Sequence, residues 1–131
     1  MPRTAWPLVS GRPIVQVSLV SGTGQIETLD LLADTGAGSV DSPFEILLDE
    51  QTCLMFGGSP GQSVKLRGAY QGSFPVYVVR AKIPSLDFEQ YIRAVAVASV
   101  PHELRGIACF RLLNRFAFGN FGDGNQFGLE A

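Results

Sequence analysis

Leu31-Leu32-Ala33-Asp34-Thr35-Gly36-Ala37-Gly38 is the stretch on which the reading of this chain turns. An apolar run ends in an acid, and the acid is followed by small residues that permit a tight turn. A strand of that kind delivers one carboxylate at its end, on a loop, where chemistry is commonly placed. Upstream, Ile14 to Val20 forms a strand candidate that stops at the turn Ser21-Gly22-Thr23-Gly24. Ile26 to Ala33 then returns as the second arm of a hairpin.

Working outward, short apolar runs alternate with turn signals about every 8 to 12 residues, the rhythm of an all-β domain rather than of βαβ units. Pro43 to Gln51 is expected to hold a short helix, with Leu47-Leu48 also suiting a strand, and Met55 to Gly61 is expected to be a loop. Ser63 to Arg67 and Phe74 to Ile83 flank the tip Gly68-Ala69-Tyr70-Gln71-Gly72, which predicts a projecting hairpin. Phe88 to Val100 supplies another strand. Phe110 to Phe116 carries the convincing helix signal, because Leu112, Leu113 and Phe116 fall on one face. A last hairpin is expected within Phe118 to Leu129, around Asp123-Gly124-Asn125.

The chain has 131 residues, 46% apolar and 17% charged, which suits one domain with a single core, residues 1–131. With 10 basic and 12 acidic residues and no basic run, the footprint of a nucleic-acid binder is missing. No apolar stretch reaches the roughly 20 residues a bilayer needs. Residues 1–7 contain one Arg and no apolar signal core, so the expectation is a cytoplasmic chain without a membrane partner. Cys53 and Cys109 lack metal-site or disulfide-scaffold spacing and read as reduced, buried thiols. His102, beside Pro101 and Glu103, reads as a solvated loop residue. Arg111 and Arg115 read as a solvated face or a carboxylate pair, and Phe116, Phe118, Phe121 and Phe127 as core or subunit interface.

A carboxylate presented at a strand end is what half of a carboxylate dyad requires. Two carboxyls about 3 Å apart cannot both ionise, so they share a proton. The ionised member takes a proton from water while the protonated member polarises a peptide carbonyl, and neither a metal nor a cofactor is required. The aspartic-protease pair is the established case of this chemistry. Asp34-Thr35-Gly36 occurs once, so one chain supplies half a site and a twofold homodimer would supply the other half.

Three blocks carry a family resemblance: Leu31 to Ala37, Val64 to Tyr77, and Gly106 to Phe116 with its Leu112-Leu113-Asn114-Arg115-Phe116 portion. In this order they resemble the retropepsin-like aspartic proteases, particularly the small single-domain members outside the retroviruses. The resemblance implies a mostly β fold: a closed β-barrel half of six to seven strands, a flap hairpin and one short C-terminal helix. It implies that Asp34 is the catalytic carboxylate and that Thr35 supports the loop by a hydroxyl hydrogen bond across the dimer. Gly36, Ala37 and Gly38 would lie along a peptide or protein substrate. Gly68, Ala69, Tyr70, Gln71 and Gly72 would close over it, above Ile107. The chain departs from the family pattern at Cys109, where relatives carry glycine, at Phe110-Arg111, where they carry a polar pair, and at Gly38, where many carry an acid. Those departures keep a second reading open, a catalytically inactive dimerisation or peptide-binding module of the same fold.

Overall fold

The computed structural model describes residues 2–101 and 103–131, so the reading of His102 lies outside the described residues. The chain runs through β1 (Arg3–Pro7), β2 (Ile14–Val20), β3 (Ile26–Ala33) and β4 (Ile46–Asp49) into helix α1 (Glu50–Gly57). It continues through β5 (Gln62–Leu66), β6 (Gly72–Ile83), β7 (Phe88–Val97) and β8 (Gly106–Ala108) to helix α2 (Phe110–Leu113), then β9 (Ala117–Gly119) and β10 (Gln126–Glu130).

The main sheet has the order β2-β3-β8-β4-β7-β6-β5. Its first six strands close into a barrel, because β6 returns to β2 through Ser18↔Lys82, Leu19↔Ala81 and Val20↔Arg80. Closure leaves no open edge between these strands to template pairing with another chain. Val15, Val17, Leu29, Leu31, Val79, Ala81, Ala94 and Ala96 pack the interior together with residues from β4, α1 and α2. A second apolar cluster lies apart from it: Phe44, Leu47, Val76, Val95, Val97, Ile107 and Cys109, all buried. Strands β4 and β8 and the second half of β7, Ala94 to Val97, are therefore buried on both faces, which explains their unbroken apolar runs.

The expected mostly β barrel with a short C-terminal helix is what the chain forms, but its helices are placed differently. Pro43 to Gln51 holds a strand, and the helix begins at Glu50, so Met55 to Gly57 is helical rather than loop. Asp49 is the reason. It caps α1, its Oδ1 accepting from the Thr52 N–H at 2.8 Å and its Oδ2 accepting from the Thr52 hydroxyl at 2.9 Å. The helix stops at Gly58, whose φ of +72° favours glycine. In the same way α2 covers only Phe110–Leu113 of the helix expected to reach Phe116, and β7 ends at Val97 rather than Val100.

Strand β6 serves two structures at once. Its far part, Val76 to Ile83, pairs with β7 in the barrel, while Gly72 to Val76 pairs with β5 and projects as a hairpin with Leu66 opposite Gly72. Val64, Leu66, Tyr70 and Phe74 of that hairpin lie on the second cluster, half-buried. The terminal hairpin of β9 and β10 also takes β1 on its outer side, giving a three-stranded sheet β1-β10-β9. In it Phe118 packs on Phe127 at 6.2 Å and Arg3 lies over Phe121 at 4.2 Å. Among the described residues no helix is long and apolar enough to cross a membrane.

Candidate active site

Asp34 follows the last residue of β3, and β8 fixes where that strand ends. The two strands run parallel in the register Leu31↔Gly106, Leu32↔Ile107 and Ala33↔Ala108. Asp34 extends this ladder by donating its N–H to the Ala108 carbonyl at 3.0 Å. The Ala37 N–H then reaches back to the Asp34 carbonyl at 3.1 Å, and Phe110 donates to the Ala37 carbonyl at 2.9 Å. The loop is thus tied at both ends to the segment that enters α2. Within it, Gly36 donates its N–H to Asp34 Oδ1 at 2.9 Å, an Asx turn that orients the carboxylate. Among the described residues no donor in the chain reaches the other oxygen, Oδ2. Thr35 beside it is exposed.

Beneath the loop, glycine is a steric requirement. A Cβ on Gly106 would lie 2.2 Å from the Leu47 carbonyl oxygen and 2.8 Å from Leu48 Cδ2. Only glycine lets β8 sit this close to β4, where Leu47 opposes Ile107. Leu32, Ile107 and Leu47 consequently form a cross-strand row over three neighbouring strands.

That row is the floor of a cleft of 630 Å³. Asp34, Gly36 and Ala37 border it, Ser99, Val100 and Pro101 form a wall, and Arg67, Gly68, Ala69 and Tyr70 of the hairpin form the roof. A smaller space of 150 Å³ adjoins it and is lined by Gly38, Phe44 and Leu66 as well as by residues of the first. The roof is latched by the Tyr70 hydroxyl, which donates to the Ser99 carbonyl at 3.1 Å, while the ring meets Phe74 edge-on at 6.5 Å. Burial raises the Tyr70 phenol above its ordinary pKa.

Of the residues singled out in the sequence, Asp34, Gly36, Ala37, Gly68, Ala69, Tyr70 and Ile107 line the main cleft and Gly38 the adjoining one. Thr35, Gln71 and Gly72 lie outside both linings. Leu32, Leu47, Arg67 and the 99–101 wall also line the cleft, a role the sequence reading does not assign to them. Arg67 had a signal, its place at the hairpin tip, whereas Leu32 and Leu47 are found only once the strand register is known.

The departures at positions 38, 109 and 111 each have a physical account. Gly38 adopts φ +78°, and a Cβ there would lie 2.7 Å from the Ser42 hydroxyl, which accepts from the Ser39 N–H. Cys109 fits: it is fully buried in the second cluster, and both cysteines are free. Burial, followed by the nearby charges of Asp34 and Glu45, drives the Cys109 thiol upward, so it stays protonated and is no nucleophile. Arg111 makes a charged tie between α2 and the chain before β4. Its guanidinium donates to the Ser42 carbonyl and stands 3.6 Å from Glu45 Oε1, with Arg115 at 4.0 Å. Glu45 is buried, and its Oε2 accepts from the Arg93 N–H at 2.6 Å while its carbonyl accepts from Cys109 at 2.9 Å. The carboxylate-pair reading of both arginines is the one the structure bears out.

Among the described residues no group of three or more His, Cys, Asp or Glu side chains is placed to hold a metal ion. No protein-family model and no curated protein matches this chain.

Proposed function

We propose that this chain is one half of a homodimeric aspartic endopeptidase of the retropepsin-like kind. One observation carries the reading: a half-buried carboxylate, held by a tied loop, borders an apolar cleft that a hairpin roofs. An extended peptide in that cleft has its side chains on Leu32, Leu47 and Ile107 and its backbone along Gly36 and Ala37. A second copy, related by a twofold axis, brings its own Asp34 to the same peptide bond.

In the reaction one Asp34 carboxylate accepts a proton from water as the water oxygen bonds to the carbonyl carbon. The protonated Asp34 of the partner subunit donates to the carbonyl oxygen. Collapse of the tetrahedral adduct breaks the C–N bond: the departing nitrogen takes a proton from one Asp34, and a hydroxyl of the adduct gives its proton to the other carboxylate as the carbonyl re-forms, which restores the singly protonated dyad. The hairpin excludes bulk water, which strengthens each of these electrostatic steps.

The test is cleavage of an unfolded protein between about pH 3 and 8, with wild type and Asp34→Asn compared and the mass of each measured by light scattering. The expected result is cleavage by a species of about twice 14.1 kDa, abolished by Asp34→Asn. A dimer that binds peptides and cleaves none at any pH replaces the protease reading with that of a peptide-binding module. An inactive monomer at high concentration removes the dyad altogether.

A further inference from the structure

Among the described residues the two adjoining spaces of the cleft are lined by two charged side chains, Asp34 and Arg67. Arg67 lines both spaces, at the hairpin tip where they meet, and it is exposed. Five of the other arginines have carboxylate partners: Arg3 pairs with Glu130, Arg80 with Glu89, Arg105 with Glu27, and Arg111 and Arg115 with Glu45. Arg12 and Arg93 have no carboxylate partner among the described residues, but neither lines the cleft. Arg67 enters none of the ion pairs or side-chain hydrogen bonds formed among the described residues. Asp34 is not its partner either, its Oδ1 being taken by Gly36.

A guanidinium is permanently charged, and its planar fork of donors matches a carboxylate. Held in the roof of an apolar cleft, it meets whatever lies beneath the hairpin, and partial exclusion of water makes that meeting stronger than at an open surface. We infer that Arg67 is a specificity-determining residue: it selects peptides that carry a Glu or Asp next to the apolar residue seated on Leu32, Leu47 and Ile107. The inference rests on the protease reading above and adds the substrate class to it.

The experiment uses one peptide with an apolar core, in which Glu is moved through every position, with Gln and Lys counterparts. Each is given to wild type, Arg67→Gln and Arg67→Glu. At one register wild type is expected to favour Glu over Gln about fivefold in kcat/KM at low salt. The preference shrinks as added salt shortens the Debye length. In Arg67→Gln the ratio falls to about one, and in Arg67→Glu the preference passes to Lys. A Glu preference that survives Arg67→Gln, or no preference at any register, overturns the assignment and leaves the protease reading standing. If wild type cleaves none of the peptides, the protease reading fails separately, and the same ratios are measured as Kd with fluorescent peptides. Equal Kd for the Glu and Gln peptides then overturns the inference, and an Arg67-dependent difference upholds it.

Discussion

Asp34 and Tyr70 face one cleft from opposite sides, and they are held in opposite ways. The Asp34 loop continues strand β3, which is paired with β8, and backbone hydrogen bonds to the Ala108 carbonyl and from the Phe110 N–H close on it from below. The hairpin tip around Tyr70 is joined to the barrel by a side chain, the phenol on the Ser99 carbonyl, and by half-buried apolar residues. Main-chain ladders of that kind open only with large parts of the structure, whereas a hairpin tip held by one hydroxyl and a few half-buried side chains opens locally. A rigid floor that aims a carboxylate and a roof that lifts to admit a chain are the two properties the proposed reaction asks for.

Breaking the floor is expected to cost most. Gly106→Val forces a side chain against the Leu47 carbonyl and should destabilise the fold by about 3 kcal/mol or more, seen as loss of a cooperative melting transition. Gly61→Ala is the matching change on the hairpin side. A Cβ there meets nothing within 4 Å, and the melting midpoint should shift by no more than the equivalent of about 0.5 kcal/mol. Next comes Glu45→Gln, which removes the charge shared by Arg111 and Arg115 and weakens the bond from Arg93, at a cost of about 2 kcal/mol. Because the tie leads through Cys109 to the segment beneath Asp34, peptide cleavage should fall along with the melting midpoint.

The cysteines sharpen the same contrast without altering stability. Cys53 lies in the barrel core and Cys109 in the cluster beneath the hairpin. Burial, aided by Asp49 and Glu50, pushes the Cys53 thiol up to about 12, and Cys109 moves the same way. Both raised values mean neutral thiols near pH 8, so iodoacetamide should label neither in the folded chain and both after denaturation. Faster labelling of Cys109 than of Cys53 in the folded state would show that the cluster under the roof opens more readily than the barrel.

What could be read in advance follows the range of the interactions. Ile14 to Val20 and Ile26 to Ala33 match their strands end for end, because alternation and a Gly-bearing turn are local signals. Asp34 and the hairpin tip were legible for the same reason. Ile46-Leu47-Leu48 was ambiguous because a strand buried on both faces has no alternation to display. The Asp49 to Thr52 cap was present in the sequence, but the apolar run before it drew the expected helix too early. Strand β1 gave no signal, since Arg3–Pro7 pairs with residues at the far end of the chain. The floor row of Leu32, Ile107 and Leu47 likewise exists only through the pairing of β3, β8 and β4, and no local pattern announces it.

The most local expected effect concerns the latch itself. Tyr70→Phe keeps the ring against Phe74 and removes the donor to Ser99, so the barrel should be unchanged while amides of the β5–β6 hairpin exchange about fivefold faster, the equivalent of one weak hydrogen bond. The pH dependence has a definite sign. A phenol whose pKa is raised on folding above its ordinary value of 10.0 holds its proton more tightly in the closed form. The latch therefore contributes fully below about pH 10 and is lost as the pH rises through the raised value. Any difference in melting midpoint between wild type and Tyr70→Phe should accordingly stay constant up to about pH 10 and narrow beyond it. If the difference persists into alkali, or if exchange quickens in the barrel strands as much as in the hairpin, then the hydroxyl is part of the rigid floor's stability and the roof is not separately hinged.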